Sequence, residues 1–220
     1  YSHTFNEKHN FSAIGGYGWQ HFWKKYDTTT FSPEGKELFS PSHYESEYYL
    51  LSFYGRLNYS YDNRYMVTAT LRSDASSRFA KGNRWGLFPS VSLGWTMKNE
   101  TFLKDVDWLS QLKLRVGYGF TGNTENFESY MSIPRMVIKN MQPSLEDGVT
   151  NVISFEKNRE ENEDFQWEAT KELNIGLDWG LFNNKLQGSI EYYNKITDNL
   201  IWDYTLPQPP FVSDRIYANV

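Results

Sequence analysis

The sequence predicts an all-β protein: an antiparallel meander of about seven strands, of the kind that forms part of a transmembrane β-barrel wall. Three observations predict it. Apolar residues recur with a period of two along most of the chain. Short and long connections alternate between the strand candidates. Aromatic residues gather at the ends of the apolar rows.

The strand candidates follow in order. HNFSAIGGYGWQHFWKK (9–25) is the least regular. In YLLSFYGRLNYSY one parity reads Tyr49, Leu51, Phe53, Gly55, Leu57, Tyr59 and Tyr61, and the other Leu50, Ser52, Tyr54, Arg56, Asn58 and Ser60. After the turn formers Asp62-Asn63-Arg64 come Tyr65, Val67, Ala69 and Leu71, set against Met66, Thr68, Thr70 and Arg72. LFPSVSLGWTM sets Leu87, Val91, Leu93, Trp95 and Met97 against Ser90, Ser92, Gly94 and Thr96. QLKLRVGYGFTGN sets Leu112, Leu114, Val116, Tyr118 and Phe120 against Lys113, Arg115, Gly117, Gly119 and Thr121. TKELNIGLDWG and KLQGSIEYYNK repeat the pattern with Leu173, Ile175, Leu177 and Trp179, then Leu186, Ile190 and Tyr192. Only 99–111 reads as a short helical turn, with Phe102, Leu103, Val106, Trp108 and Leu109 on its apolar side.

The connections Asp62–Arg64 and Asn183-Asn184 are short. Those at 26–46 and 122–166, and the stretch from 196 onward, are long, and 73–84 is intermediate. Outer-membrane barrels alternate in this way, with short periplasmic turns and longer outer loops.

A soluble β-sandwich is the competing reading, since its strands alternate too. Two details weigh against it. The polar parity carries Arg56, Arg72, Lys113, Arg115, Glu172 and Asp178. Tyr59, Tyr61, Tyr65, Trp95, Trp179 and Phe182 stand where an interfacial girdle places rings with hydrated polar handles. Pro89 falls in an apolar row and cannot donate to a ladder, so it belongs near the outer rim.

Composition bounds function. Aromatics make up 18% of 220 residues, more than a core of this size usually needs. The 22 basic and 27 acidic residues leave no basic excess to offset phosphates, which argues against a nucleic-acid partner. Without cysteine there is no disulfide framework or zinc thiolate site. No run of 18 apolar residues reads as a transmembrane helix. The opening YSHTFNEKHN lacks the regions of a signal peptide, and the chain stops abruptly at RIYANV. The expectation is an internal piece of a longer chain.

The stretch LRSDASSRFAKGNRWGLFPSVSLGW (71–95) closely resembles the C-terminal barrel half of SusC/RagA-type TonB-dependent transporters of Bacteroidetes outer membranes. SFYGRLNYSYDNRYMVTATLR before it, LKLRVGYGFTGN after it and FQWEATKELNIGLDWGLFNNKLQGSIEYYNKITDNLI further on resemble the same family in the same order. Together they cover most of residues 47–203. The resemblance implies a barrel of about 22 strands with a plugged lumen, located in the cell outer membrane. It implies a SusD-like surface lipoprotein as lid and a TonB complex that drives uptake. The cargo it implies is an oligosaccharide or a peptide. Residues 1–220 would then be a partial barrel in contact with outer-membrane lipid. The plug, the TonB-contacting segment and the remaining strands would lie outside them. The alternative is a soluble glycan-binding β-sandwich without a transport role.

Catalysis is not expected, because no G-x-S-x-G, H-E-x-x-H or P-loop pattern occurs. His3, His9, His21 and His43 read as exposed or rim histidines rather than metal ligands. No cofactor is expected. The acidic run REENEDFQWE (159–168) could hold calcium through its carboxylates, but it matches no EF-hand and reads as a solvated loop. Residues 122–168 carry ten acidic and four basic residues, so this loop could meet a partner's basic surface or divalent ions. Ser76-Ser77-Arg78 reads as a structural hairpin tip, with Arg78 and Arg84 satisfying nearby carbonyls or acids. The ligand-contact candidates are the aromatics of the long outer connections: Phe127, Tyr130, Trp202 and Tyr204. Rings stack on the C–H faces of sugars, and ligand pockets mix such rings with a few polar groups.

Overall fold

A computed structural model describes residues 1–31, 35, 37–123, 128–143 and 151–220; the side chains of 29–31, 37–43, 138–143 and 151–154 are not among those described. The strands in chain order are β1 (Ser2–Phe5), β2 (His9–Phe31), β3 (Glu37–Tyr61), β4 (Tyr65–Ser76), β5 (Trp85–Thr96), β6 (Leu109–Asn123), β7 (Arg135–Pro143), β8 (Asn151–Arg159), β9 (Glu168–Leu181), β10 (Leu186–Asp198), β11 (Ile201–Thr205) and β12 (Arg215–Asn219). One antiparallel eight-stranded sheet runs β1-β2-β3-β4-β5-β6-β9-β10, and β7-β8 and β11-β12 are separate hairpins.

The register explains the period of two. Tyr61, Tyr65, Trp95, Leu114, Leu177 and Ile190 are successive cross-strand partners in one row. Tyr59, Val67, Leu93, Val116, Ile175 and Tyr192 form the next. Side chains alternate across a pleated strand, so both rows share one face. The other face carries rows such as Asn58, Thr68, Ser92, Gly117 and Asn174. Leu57, Leu71 and Leu93 on the apolar face are each about half exposed, at 51%, 52% and 52%. Among the described residues no second sheet covers that face, as a sandwich would require.

Three tight turns lie at one end of the sheet. Asn6 and Glu7, Asp62 and Asn63, and Phe182, Asn183 and Asn184 all have left-handed φ between 48° and 59°. Asn and Asp accept that conformation readily; Phe182 does not. Its N–H donates to the Trp108 carbonyl at 2.8 Å, which ties the turn to its neighbour. The same linkage recurs from Asp62 N–H to Lys8 O and from Thr96 N–H to Arg64 O, both at 2.7 Å.

The structure corrects three expectations. The stretch 26–46 is not a long loop: β2 runs to Phe31 and β3 begins at Glu37, so the two strands project together well past a membrane-spanning length of about 10 residues. The helical turn is a 3₁₀ helix at Met97–Asn99, ahead of the expected apolar residues, and Leu109 already opens β6. Lys98 Nζ closes the segment by donating to the carbonyls of Leu103, Lys104 and Val106 at 2.8–3.1 Å. Phe102 and Trp108, expected on the packed side, are 65% and 56% exposed. The connections after β6 and after β10 each fold back as a hairpin.

Pro89 pairs with Leu71, and the β5–β6 ladder stops at Ser90 opposite Gly119. Pro89 therefore stands at the first position where β5 has no partner on its β6 side, where a missing N–H is tolerated.

Candidate functional site

Most of the buried residues gather at the end opposite the tight turns, with Glu100 and Leu109 buried at the turn end. Phe79, Ala80, Phe88, Met131, Phe165 and Trp167 form one cluster, each 8% exposed or less. It joins the tip between β4 and β5 to the segments flanking the β7–β8 hairpin. Phe79 lies 4.7 Å from Trp167 and 5.5 Å from Phe165 between ring centroids, and Phe88 meets Trp167 edge-on at 5.4 Å. Such pairs contribute about 0.5–1.5 kcal/mol each beyond their burial.

The chemistry of SSRFAKGNRWGLFPS follows from this cluster. Ser77 Oγ accepts from Tyr49 N–H at 2.9 Å, and Ser77 N–H donates to the Tyr49 carbonyl at 3.1 Å, so the tip is clipped to β3. The Arg78 guanidinium lies 3.4 Å from the Tyr48 ring centroid, and burial pushes its pKa down. Stacking on a ring partly replaces the water that the cation gives up. Arg84 acts through its backbone, contrary to the expectation for its side chain: its carbonyl accepts from Ser76 N–H at 3.0 Å and from the Trp167 indole at 2.9 Å. A Cβ at Gly86 or Gly122 would fall 2.5 or 2.2 Å from the Phe88 ring, so the ring needs both glycines. Trp85 points the other way and stacks with Phe53 at 6.2 Å and 17° on the apolar face.

The acidic run is only in part a solvated loop. Glu161, Glu163 and Asp164 are exposed, but Arg159, Phe165 and Trp167 are buried. Arg159 Nη2 donates to the Tyr130 carbonyl at 2.6 Å. Glu160 accepts from Lys157 Nζ at 2.5 Å and from Ser213 N–H at 3.0 Å; the Lys157 contact, then the Ser213 amide, hold its carboxyl below the ordinary range. The aromatics inside an acidic run were the available signal for this burial.

Two cavities flank the cluster. The larger, about 680 Å³, is lined by Tyr49, Phe79, Lys81, Arg84, Tyr130 and the acidic Glu161 and Glu163, among others. The second, about 400 Å³, opens on the polar face, where Arg72, Asp74, Phe88, Phe120 and Trp167 meet the hydroxyls of Thr70 and Ser90. Both lie in the range of small-molecule pockets, roughly 300–1,000 Å³.

Of the sequence candidates, Tyr130 lines the larger cavity, held at a left-handed φ of 65°. Trp202 and Tyr204 sit in β11. They alternate with Ile201, which packs on the cluster, so they occupy the opposite face of the hairpin, and Trp202 is 61% exposed. Neither lines the two cavities described above. Phe127 lies outside the described residues. His9 Nδ1 is 2.8 Å from the Tyr59 hydroxyl and His21 Nε2 is 3.0 Å from Glu47; the side chain of His43 is not described. Among the described residues no group of three His, Asp or Glu could hold a metal ion.

The TonB-dependent receptor-like β-barrel family matches the chain across residues 1–220. The chain belongs to that family. The TonB-dependent receptor SusC of Bacteroides thetaiotaomicron is 41% identical over 192 residues, 87% of this chain and 18% of that protein. The TonB-dependent receptor P39 of Formosa agariphila is 32% identical over 234 aligned residues, covering 100% of this chain and 22% of that protein. The chain thus spans about a fifth of the length of these relatives. The RagAB peptide transporter superposes over 100% of the chain and 25% of its own, with a TM-score of 0.83 and 28% identity. The siderophore receptor PirA of Pseudomonas aeruginosa, 15% identical with a TM-score of 0.57, shares the fold. Family membership and the uncovered apolar face overturn the sandwich reading.

Proposed function

We propose that residues 1–220 form part of the wall of an outer-membrane, TonB-dependent nutrient importer for oligosaccharides or peptides. On this reading the apolar face meets lipid and the polar face lines the lumen. The tight turns face the periplasm, and the aromatic cluster and its cavities face outward. The observation that carries the proposal is the uncovered apolar face on a sheet that belongs to this barrel family from end to end. A SusD-like lipoprotein as lid and a TonB complex as energy source are part of the same reading. Two relatives support it, one bearing the SusC name and one a peptide transporter that pairs two components in its name. A transport role rather than an enzymatic one accords with relatives named as receptors.

Tyr130, Trp202 and Tyr204 stand as ring contacts for cargo. The test is uptake of labelled oligosaccharides and peptides by cells carrying the intact parent protein, with and without a working TonB system. The expected result is a heat-modifiable protein in the outer-membrane fraction and uptake that stops when TonB is removed. Uptake indifferent to TonB, or a parent in the soluble fraction, would overturn the proposal.

A further inference from the structure

The larger cavity carries four charges that the fold leaves unmatched. Lys81 and Arg84 come from the tip between β4 and β5, and Glu161 and Glu163 from the segment between β8 and β9. None of the four side chains makes an ion pair or hydrogen bond among the described residues, and Glu161 acts on Lys157 only through space. The other carboxylate of the cavity, Glu47, is engaged by His21 and by the Tyr49 hydroxyl. Two aromatic rings, Tyr49 and Tyr130, line the same space. Elsewhere at the outer end Lys157 pairs with Glu160, Arg215 with Asp203 and Lys171 with Asp198, while Arg135 and Asp164 are, like the four, unpaired among the described residues but line neither cavity. The cavity is therefore a place where cations and carboxylates on two separate segments stay available together.

We infer that this cavity binds a short peptide with both termini free, its carboxylate held by Lys81 and Arg84 and its ammonium by Glu161 and Glu163. Charge-assisted hydrogen bonds to a carboxylate and to an ammonium are the strong ones available here, and Arg presents a fork that fits a carboxylate. A neutral oligosaccharide would match neither pair. Tyr49 and Tyr130 offer rings to the peptide's side chains or peptide planes. The inference deepens the importer reading and rests on it for the fate of the bound peptide.

The test uses the intact parent purified in detergent. The probe is a mixture of tripeptides with free termini, read by mass spectrometry of what the protein retains. The same mixture acetylated at the N-terminus and amidated at the C-terminus, and malto-oligosaccharides, are the comparisons. Free tripeptides should be retained at least tenfold over blocked ones. Lys81→Ala with Arg84→Ala, and separately Glu161→Gln with Glu163→Gln, should each remove that preference. All four side chains are solvent-facing, and heat modifiability verifies that each double variant is folded. Equal retention of free and blocked peptides, no retention of peptides, or a preference unchanged in both double variants overturns the inference. A folded outer-membrane barrel that retains malto-oligosaccharides instead overturns the peptide inference and leaves the importer reading standing. A parent absent from the outer membrane overturns both.

Discussion

Tyr65 and Trp95, direct cross-strand partners on β4 and β5, donate to the same oxygen of Glu100, at 2.6 Å from the hydroxyl and 3.0 Å from the indole. Arg64 reaches the other oxygen at 3.4 Å. Two aromatic rings are thereby fixed by one carboxylate in the turn after β5, which is only 8% exposed. The Tyr65 bond, then the Trp95 bond, hold the Glu100 carboxyl below the ordinary range.

A carboxyl with a lowered folded pKa contributes stability that is present above its unfolded value, about 4.3, and lost as pH falls through the folded value. Wild type should therefore lose the Tyr65–Trp95 clamp in acid below that point. Glu100→Gln keeps an acceptor oxygen but cannot titrate, so its acid response should be flatter. Tryptophan fluorescence of the intact barrel between pH 6 and 2 reads the difference. Superimposable titrations would show that Glu100 has no part in it.

Ile175 and Asn174 are neighbours on opposite faces of β9. Ile175 lies in the apolar row of Tyr59, Val67, Leu93, Val116 and Tyr192, 39% exposed, and Arg at a lipid-facing site near the midplane costs roughly 2–4 kcal/mol. Asn174 borders open space beside Gly117 and Ser92 on the polar face, so Arg fits there. In the intact parent, Ile175→Arg should reduce the heat-modifiable fraction, and Asn174→Arg should leave it near wild type. Equal losses would reverse or abolish the face assignment.

Gly122 and Phe88 should be coupled. Gly122→Ala drives a methyl into the Phe88 ring, and the ring is fixed by Trp167 and the rest of the cluster. Overpacking of this kind costs typically 1–3 kcal/mol. In the Phe88→Ala background the ring is gone, so the added methyl should cost little. Residues in contact show such non-additivity in a double-mutant cycle. The readout is chemical denaturation of the intact barrel. Strict additivity would mean that the ring has another seat.

How far the sequence could be read follows the same physics. Where one face is apolar and the other polar, as at Val67 and Thr68, the period of two is plain in the sequence. Where both faces mix rings and charges the period disappears. On the projecting part of β2 and β3, Phe22 stacks on Tyr48 and Tyr26 on Tyr44 on one side, while His21 meets Glu47 and the Trp23 indole donates to Glu45 on the other. Residues 26–46 of it read as a loop but extend β2 and β3. The site was less legible still. Tyr130 stood out only as a ring in a long connection, because its cavity is assembled from segments as distant as Tyr49 and Glu163.

The last prediction concerns residues 1–220 by themselves. Their sheet is open, with β1 at one edge and β10 at the other. β10 presents Ile190, Tyr192 and Ile196, 67%, 58% and 55% exposed, along an unpaired edge. Behind it the apolar face leaves Phe53, Leu57, Leu71 and Leu93 open as one continuous patch. In lipid, each unpaired edge amide or carbonyl costs several kcal/mol, so an open sheet does not persist there. In water the edge is hydrated but the patch is not, and exposed apolar edge strands pair with other chains. The isolated 220 residues should therefore self-associate without detergent and give a broad, concentration-dependent distribution in analytical ultracentrifugation. Detergent should narrow that distribution by covering the patch. A sharp monomer boundary with cooperative unfolding in plain buffer would mean that something within these residues covers the apolar face, and the lipid-facing assignment would fall.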